Sequence, residues 1–237
     1  MLAIFKKEVA IYFLTPFGYI FIGLFLLLSG IVFVAYNLAG GKGDIFGMLG
    51  VLNFLSIIAF PILTMKLLAE EKKTSSDKLL FTASVKLSSI ILGKYFAAMF
   101  VFLVTLASTG VFAIFIIIFG KTSIGAILGS YLGFVFLGAA FIAICLFASA
   151  LTENQVTSAI AGFVFLLAFM LIGVLGNAVN NPTLKEIINW LSIMNKYNEF
   201  TRGIMRIGPL GYYLSFAVVF IYFTIRLVES RQWSREG

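Results

Sequence analysis

Six stretches of this chain are too long and too bare of charge to sit in a water-soluble core. They run from Phe17 to Tyr36, Met48 to Ala69, Ile90 to Phe119, Ile124 to Leu151, Val156 to Gly176 and Gly211 to Val228. About 20 apolar residues in a helix cross the hydrocarbon core of a bilayer. Only 11% of the residues are charged and 61% are hydrophobic, whereas soluble domains carry about 25% charged residues. So few charges cannot coat a soluble surface. The expected fold is an all-α polytopic membrane protein with six transmembrane helices in a single domain, residues 1–237.

The connections add detail. In residues 1–15, Leu2, Phe5, Val9 and Tyr12 or Phe13 recur at helical spacing, with Lys6, Lys7 and Glu8 opposite. That pattern predicts a short helix lying in the membrane interface, ended by Thr15-Pro16. It is not read as a cleaved signal peptide, because the apolar run after it exceeds the usual 7–15 residues. Asn37 to Gly47 is a glycine-rich turn, and Pro61 should kink the second span by freeing the carbonyl of Ile57. The third span is long enough to tilt. Gly125, Gly129 and Gly133 share one face of the fourth span, where backbones can approach closely for helix packing. Residues 177–210 are polar but patterned: Leu184, Ile187, Ile188 and Leu191 follow helical spacing behind a capping box at Thr183. This segment is expected to re-enter or lie on the bilayer surface.

The longest polar interruption in the first two thirds of the chain is Glu70 to Lys94, with the loop proper at residues 70–89. Thr74 and Asp77 fit a capping box, and Leu79, Leu80, Ala83 and Leu87 form one apolar stripe. A surface helix of this kind can seat in the groove of a partner. Orientation follows from the basic residues. With the N-terminus inside, Lys6, Lys7, Lys66, Lys72, Lys73, Lys78, Lys86, Lys94, Arg226, Arg231 and Arg235 face the cytoplasm. Lys42, Lys121, Lys185, Lys196, Arg202 and Arg206 face out, a bias of eleven to six among 17. Both termini and the polar loop are therefore expected to be cytoplasmic.

Several chemistries are excluded. The chain has no histidine and one cysteine, Cys145, which removes an intrachain disulfide and a His/Cys metal site. The net charge of +7 fits cationic loops meeting anionic lipid, not nucleic acid. Phe119-Gly120-Lys121-Thr122-Ser123 ends like a P-loop, but the glycine required five residues earlier is Phe115. No carboxylate lies inside an apolar span, so neither catalysis nor ion coupling is expected there. Ser29, Asn53, Ser56, Thr64, Ser108, Thr109, Ser149 and Ser158 are neutral groups that could line a path; more often such residues bond helix to helix.

The loop also carries a likeness. Glu71-Lys72-Lys73-Thr74-Ser75-Ser76-Asp77-Lys78-Leu79-Leu80-Phe81-Thr82, then Leu92-Gly93-Lys94, resembles a signature of type-2 ABC-exporter permeases. Ser75-Ser76 stand where that family usually has Gly-Thr, and Ser84 where it has Pro. Leu151 to Gln155 resembles the family's turn between spans four and five. Tyr197, Phe200 and Arg202-Gly203 resemble its segment before the last span, with Lys196 in place of a frequent His. The likeness covers essentially the whole chain and is nearest to the permeases of gliding-motility and copper-delivery ABC systems.

That resemblance implies a fold with a cytoplasmic coupling helix between spans two and three and external re-entrant helices at residues 177–210. It implies a permease of the bacterial inner membrane, working as an exporter. The partners would be a separate ABC ATP-binding subunit, which binds ATP and Mg, and a second copy or a paralogous permease. Glu70, Glu71, Lys72, Lys73, Thr74, Ser75, Ser76 and Thr82 would make polar contacts with the ATPase, and Leu79 and Leu80 the apolar ones. Two other readings remain: a self-standing secondary transporter, which would show inverted repeats, and a non-transporting anchor that recruits cytosolic proteins.

Overall fold

The computed structural model describes residues 1–41, 45–70, 86–119, 123–178 and 207–236, with scattered positions from 181 to 200. Every regular element among them is helical. A first helix, α1 (Leu2–Leu14), is separated from α2 (Pro16–Val32) by Thr15, whose extended backbone (φ −109°, ψ 158°) turns the chain. Pro16 starts α2, where its missing N–H leaves no helical bond unmade. The helix then widens into a π-helical turn, Phe33–Leu38, before Gly41 takes the left-handed conformation (φ 60°) that glycine adopts without penalty.

Next come α3 (Ile45–Thr64), α4 (Leu87–Ser108), α5 (Gly110–Phe119), α6 (Ile124–Leu151), α7 (Gln155–Ala178) and α8 (Ile207–Glu236). Among the described residues, six segments are long and apolar enough to cross a bilayer, with α4 and α5 forming one of them. The third span, continuous in its hydropathy, is interrupted where Ser108-Thr109-Gly110 combines two weak helix formers with glycine. There the Thr109 hydroxyl turns back on the Leu106 carbonyl at 2.6 Å, and the Tyr131 hydroxyl donates to the Thr109 carbonyl at 3.0 Å. Pro61 lies inside α3, which ends less than one turn later at Thr64.

The centre of the bundle is α6, packed by α3, α4, α7 and α8. Gly138, Ala140, Ala143 and Ala150 are buried along it, and their small size brings neighbouring backbones close. A Cβ at Gly138 would overlap the Phe102 ring. Phe60 of α3 is the hub of this core. It is fully buried, with ring centroids of Phe102 at 5.0 Å, Phe141 at 5.7 Å and Phe21 at 6.4 Å. Four spans thus meet on one ring.

Most hydroxyls within the spans do not bridge helices, contrary to the expectation from sequence. Ser29, Ser56, Thr64 and Ser108 each donate to the carbonyl four residues earlier in their own helix, at 2.6–3.0 Å. In an apolar medium that bond satisfies the hydroxyl without a partner helix. Thr109, whose hydroxyl lies 3.2 Å from that of Tyr131 on α6, and Ser149, described below, do reach a second helix.

Candidate functional site

The polar groups gather at one end of the bundle, where α1, the end of α3, the start of α4 and the end of α6 converge. Beyond Thr64 the regular helix gives way to a turn, and the amides of Leu68 and Ala69 take a side-chain partner. Ser149 of α6 supplies it. Its Oγ accepts from the amides of Leu68 and Ala69, each at 3.2 Å, and donates to the Met65 carbonyl at 3.3 Å. Lys66 reaches Glu70 one turn on, at 3.7 Å, and its ammonium sits 3.3 Å over the Phe17 ring. The polar end of the second span is therefore pinned to the first and the fourth.

α1 completes the arrangement. The Tyr12 hydroxyl donates to the Leu63 carbonyl at 2.7 Å, 51 residues away in sequence. Burial, and then the neighbouring Glu8 charge, hold the Tyr12 phenol well above its usual range, so it is a neutral donor. One turn earlier on the same helix, Glu8 accepts from Lys94 Nζ at 2.8 Å. Both members are buried, Glu8 to 7% and Lys94 to 2% residual exposure. The helical pattern had placed Glu8 outward with Lys6 and Lys7. Instead it faces the bundle, where it meets the Lys94 ammonium. Ile4 packs on Gly93, where an added Cβ would come within 2.9 Å of its Cγ2. Between these contacts lies a cavity of about 270 Å³ lined by Lys7, Glu8, Tyr12, Lys66, Glu70 and Lys94, among others.

These contacts bound the polar loop on both sides. Glu70 is its last described residue on the α3 side, and Lys86 precedes α4. Glu71, Lys72, Lys73, Thr74, Ser75, Ser76, Leu79, Leu80 and Thr82 lie outside the described residues. α1 holds the spans on both sides of the loop, and no local pattern in residues 1–15 reports this.

At the far end, residues before the last span are drawn into the bundle. Ser192, Ile193, Tyr197 and Phe200 are buried. The Tyr213 hydroxyl donates to the Ile193 carbonyl at 2.7 Å, and Tyr197 meets Phe134 edge-on. Burial, with Tyr131 nearby, raises the Tyr197 phenol above its ordinary range. Of the glycine stripe, Gly133 is the member against which Phe200 packs: a Cβ there would lie 2.7 Å from the Phe200 Cβ. Gly129 is buried, and Gly125 is exposed with open space where a side chain would go. Gly133→Val is therefore expected to displace Phe200 and cost about 1–3 kcal/mol, as overpacking does. Gly125→Val should leave the stability of a single chain unchanged. Detergent-denaturation midpoints of the two variants check the contrast.

A family model described as ABC-2 family transporter protein matches residues 34–228, from the end of the first span to the end of the sixth. No curated protein matches the chain.

Proposed function

The chain belongs to the ABC-2 family of transporter proteins and is a membrane-spanning ABC permease; from that premise we propose that it is the export channel of a two-part machine driven by a separate ATPase. The ATPase docks on the loop at residues 70–89, on the cytoplasmic side of the bacterial inner membrane. Leu79 and Leu80 seat in its groove, and Glu70, Glu71, Lys72, Lys73, Thr74, Ser75, Ser76 and Thr82 make the polar rim. ATP and Mg bind in that partner. A second permease copy completes the path, and the glycine face at Gly125 is open to receive it.

The observation that carries this reading is the anchoring of the loop. The two spans it joins are both tied to the same helix, α1, by a buried hydrogen bond at Leu63 and a buried ion pair at Lys94. A loop tethered this way passes a push to two spans at once, which a solvated connector does not need. The basic residues that flank it favour the cytoplasmic face. Beyond Lys94 at the start of the third span, the described residues of the spans carry hydroxyls and aromatic rings where an ion-coupled carrier needs ionisable groups. That composition suits an amphiphilic or lipid-linked cargo.

The test is co-purification followed by hydrolysis. The chain is expected to bring down an ATP-binding protein from its native membrane. Replacing Leu79 and Leu80 with Asp should abolish the permease-dependent part of ATP hydrolysis, with membrane insertion intact. Hydrolysis that persists unchanged in this variant means the loop is not where the ATPase engages.

A further inference from the structure

We propose that α1 is a register lock that makes the second and third spans move as one, with Glu8 and Tyr12 as its positioning residues; this rests on the reading that an ATPase drives the loop between those spans. Glu8 and Tyr12 stand one turn apart on α1, about 6 Å along its axis. Within that turn they take hold of both sides of the connector, Tyr12 on the Leu63 carbonyl of α3 and Glu8 on Lys94 of α4. Leu63 and Lys94 have no local reason to keep a fixed offset, since the loop separates them in sequence. A third element fixes it.

The chemistry of the contacts points to register and not to adhesion alone. An apolar pair of similar size would hold two helices as well as a buried ion pair, because desolvation offsets most of the Coulomb attraction. What the ion pair adds is intolerance of slippage. A slide of α1 by one residue advances it about 1.5 Å and rotates it by about 100°, which would pull the carboxylate away from the ammonium inside the bundle. Gly93 lets Ile4 sit flush beside the pair, and a Cβ at Gly18 would overlap the Tyr12 carbonyl oxygen. So α1 is also held flush against the start of α2. The other charged groups at the site, Lys7, Lys66 and Glu70, line the adjoining cavity. Among the described residues, Lys66 is engaged with Glu70, and the Glu8–Lys94 contact is a direct charge link from α1 to the third span.

The experiment uses the full permease with the ATP-binding subunit that co-purifies with it, in lipid nanodiscs. ATP hydrolysis is measured per assembled complex, beside the rate of the ATPase alone and the thermal midpoint of each complex. Glu8→Gln and Tyr12→Phe should each still assemble. Each should lose most of the permease-dependent stimulation, about tenfold, within the range typical of coupling between separated sites. The exchange variant Glu8→Lys with Lys94→Glu should recover it. If Glu8→Gln and Tyr12→Phe only lower the thermal midpoint while hydrolysis per complex stays at the wild-type rate, the contacts are structural and the proposal is overturned. Should the exchange variant fail to fold, Tyr12→Phe decides, since it removes one grip without touching the charges. Wild-type permease that binds no ATPase overturns the docking reading first and this inference with it.

Discussion

Phe60→Ala is expected to destabilise the bundle by about 3–5 kcal/mol, the range for deleting a fully enclosed aromatic ring. The reasoning differs from that for a soluble core. Between helices in lipid there is no hydrophobic drive, since acyl chains are as apolar as leucine, and association depends on close packing. A void therefore forfeits dispersion contacts directly. Phe60 meets Phe102 at 5.0 Å and Phe141 at 5.7 Å, both edge to face. Such pairs add about 0.5–1.5 kcal/mol each beyond area. The ring is enclosed by Phe21 of α2, Phe102 of α4 and Phe141 of α6, so no single span can move in to fill the gap without leaving the others. Phe54 on the same helix is 54% exposed in the chain, and Phe54→Ala serves as the control, expected to change little. Reversible unfolding in mixed micelles, followed by helical circular dichroism, compares the two. A Phe60→Ala loss below about 1 kcal/mol would mean that the four spans are not held through this ring.

What the sequence made legible follows from which signals are local. Six long runs nearly free of charge leave one solution, and the all-helical, six-span fold is that solution. The break at Thr109 was hidden because Ser108 and Thr109 are nearly neutral in hydropathy and sit inside a run dominated by phenylalanine, isoleucine and leucine. Glycine and hydroxyl residues in series were the available signal. Glu8 was misplaced for a different reason. Helical periodicity sorts charges outward by default, and the group that reverses this, Lys94, lies 86 residues away. Nothing within a window of α1 reports it. The same holds for Ser149, whose three bonds go to a stretch 80 to 84 residues earlier. Local chemistry pointed to the loop; the contacts that fix its ends are long-range, and only the fold displays them.

Lys94→Met is expected to cost about 3–5 kcal/mol, because it removes one partner of a buried pair and leaves the other charge uncompensated. Lys94 Nζ and Glu8 Oε1 are 2.8 Å apart, with side-chain exposures of 3% and 9%, so neither charge can turn to water in place. Glu8→Leu removes the carboxylate that meets the Lys94 ammonium and should also destabilise. The informative variant is the double one, Glu8→Leu with Lys94→Met. Both charges are then gone and the site can close on apolar atoms. Stability should return to within about 1–2 kcal/mol of wild type, since well-packed apolar substitutes for buried ion pairs are often neutral. The singles and the double form a cycle whose interaction energy should be several times the few tenths found between independent sites. Additive losses would mean that the two residues do not sense each other. The same double variant separates adhesion from register. With α1 stuck down by grease alone, the bundle holds together while the helix is free to settle one residue off. Recovered stability with ATP stimulation still low is therefore the expected combination. Stimulation that recovers together with stability would assign the pair to packing.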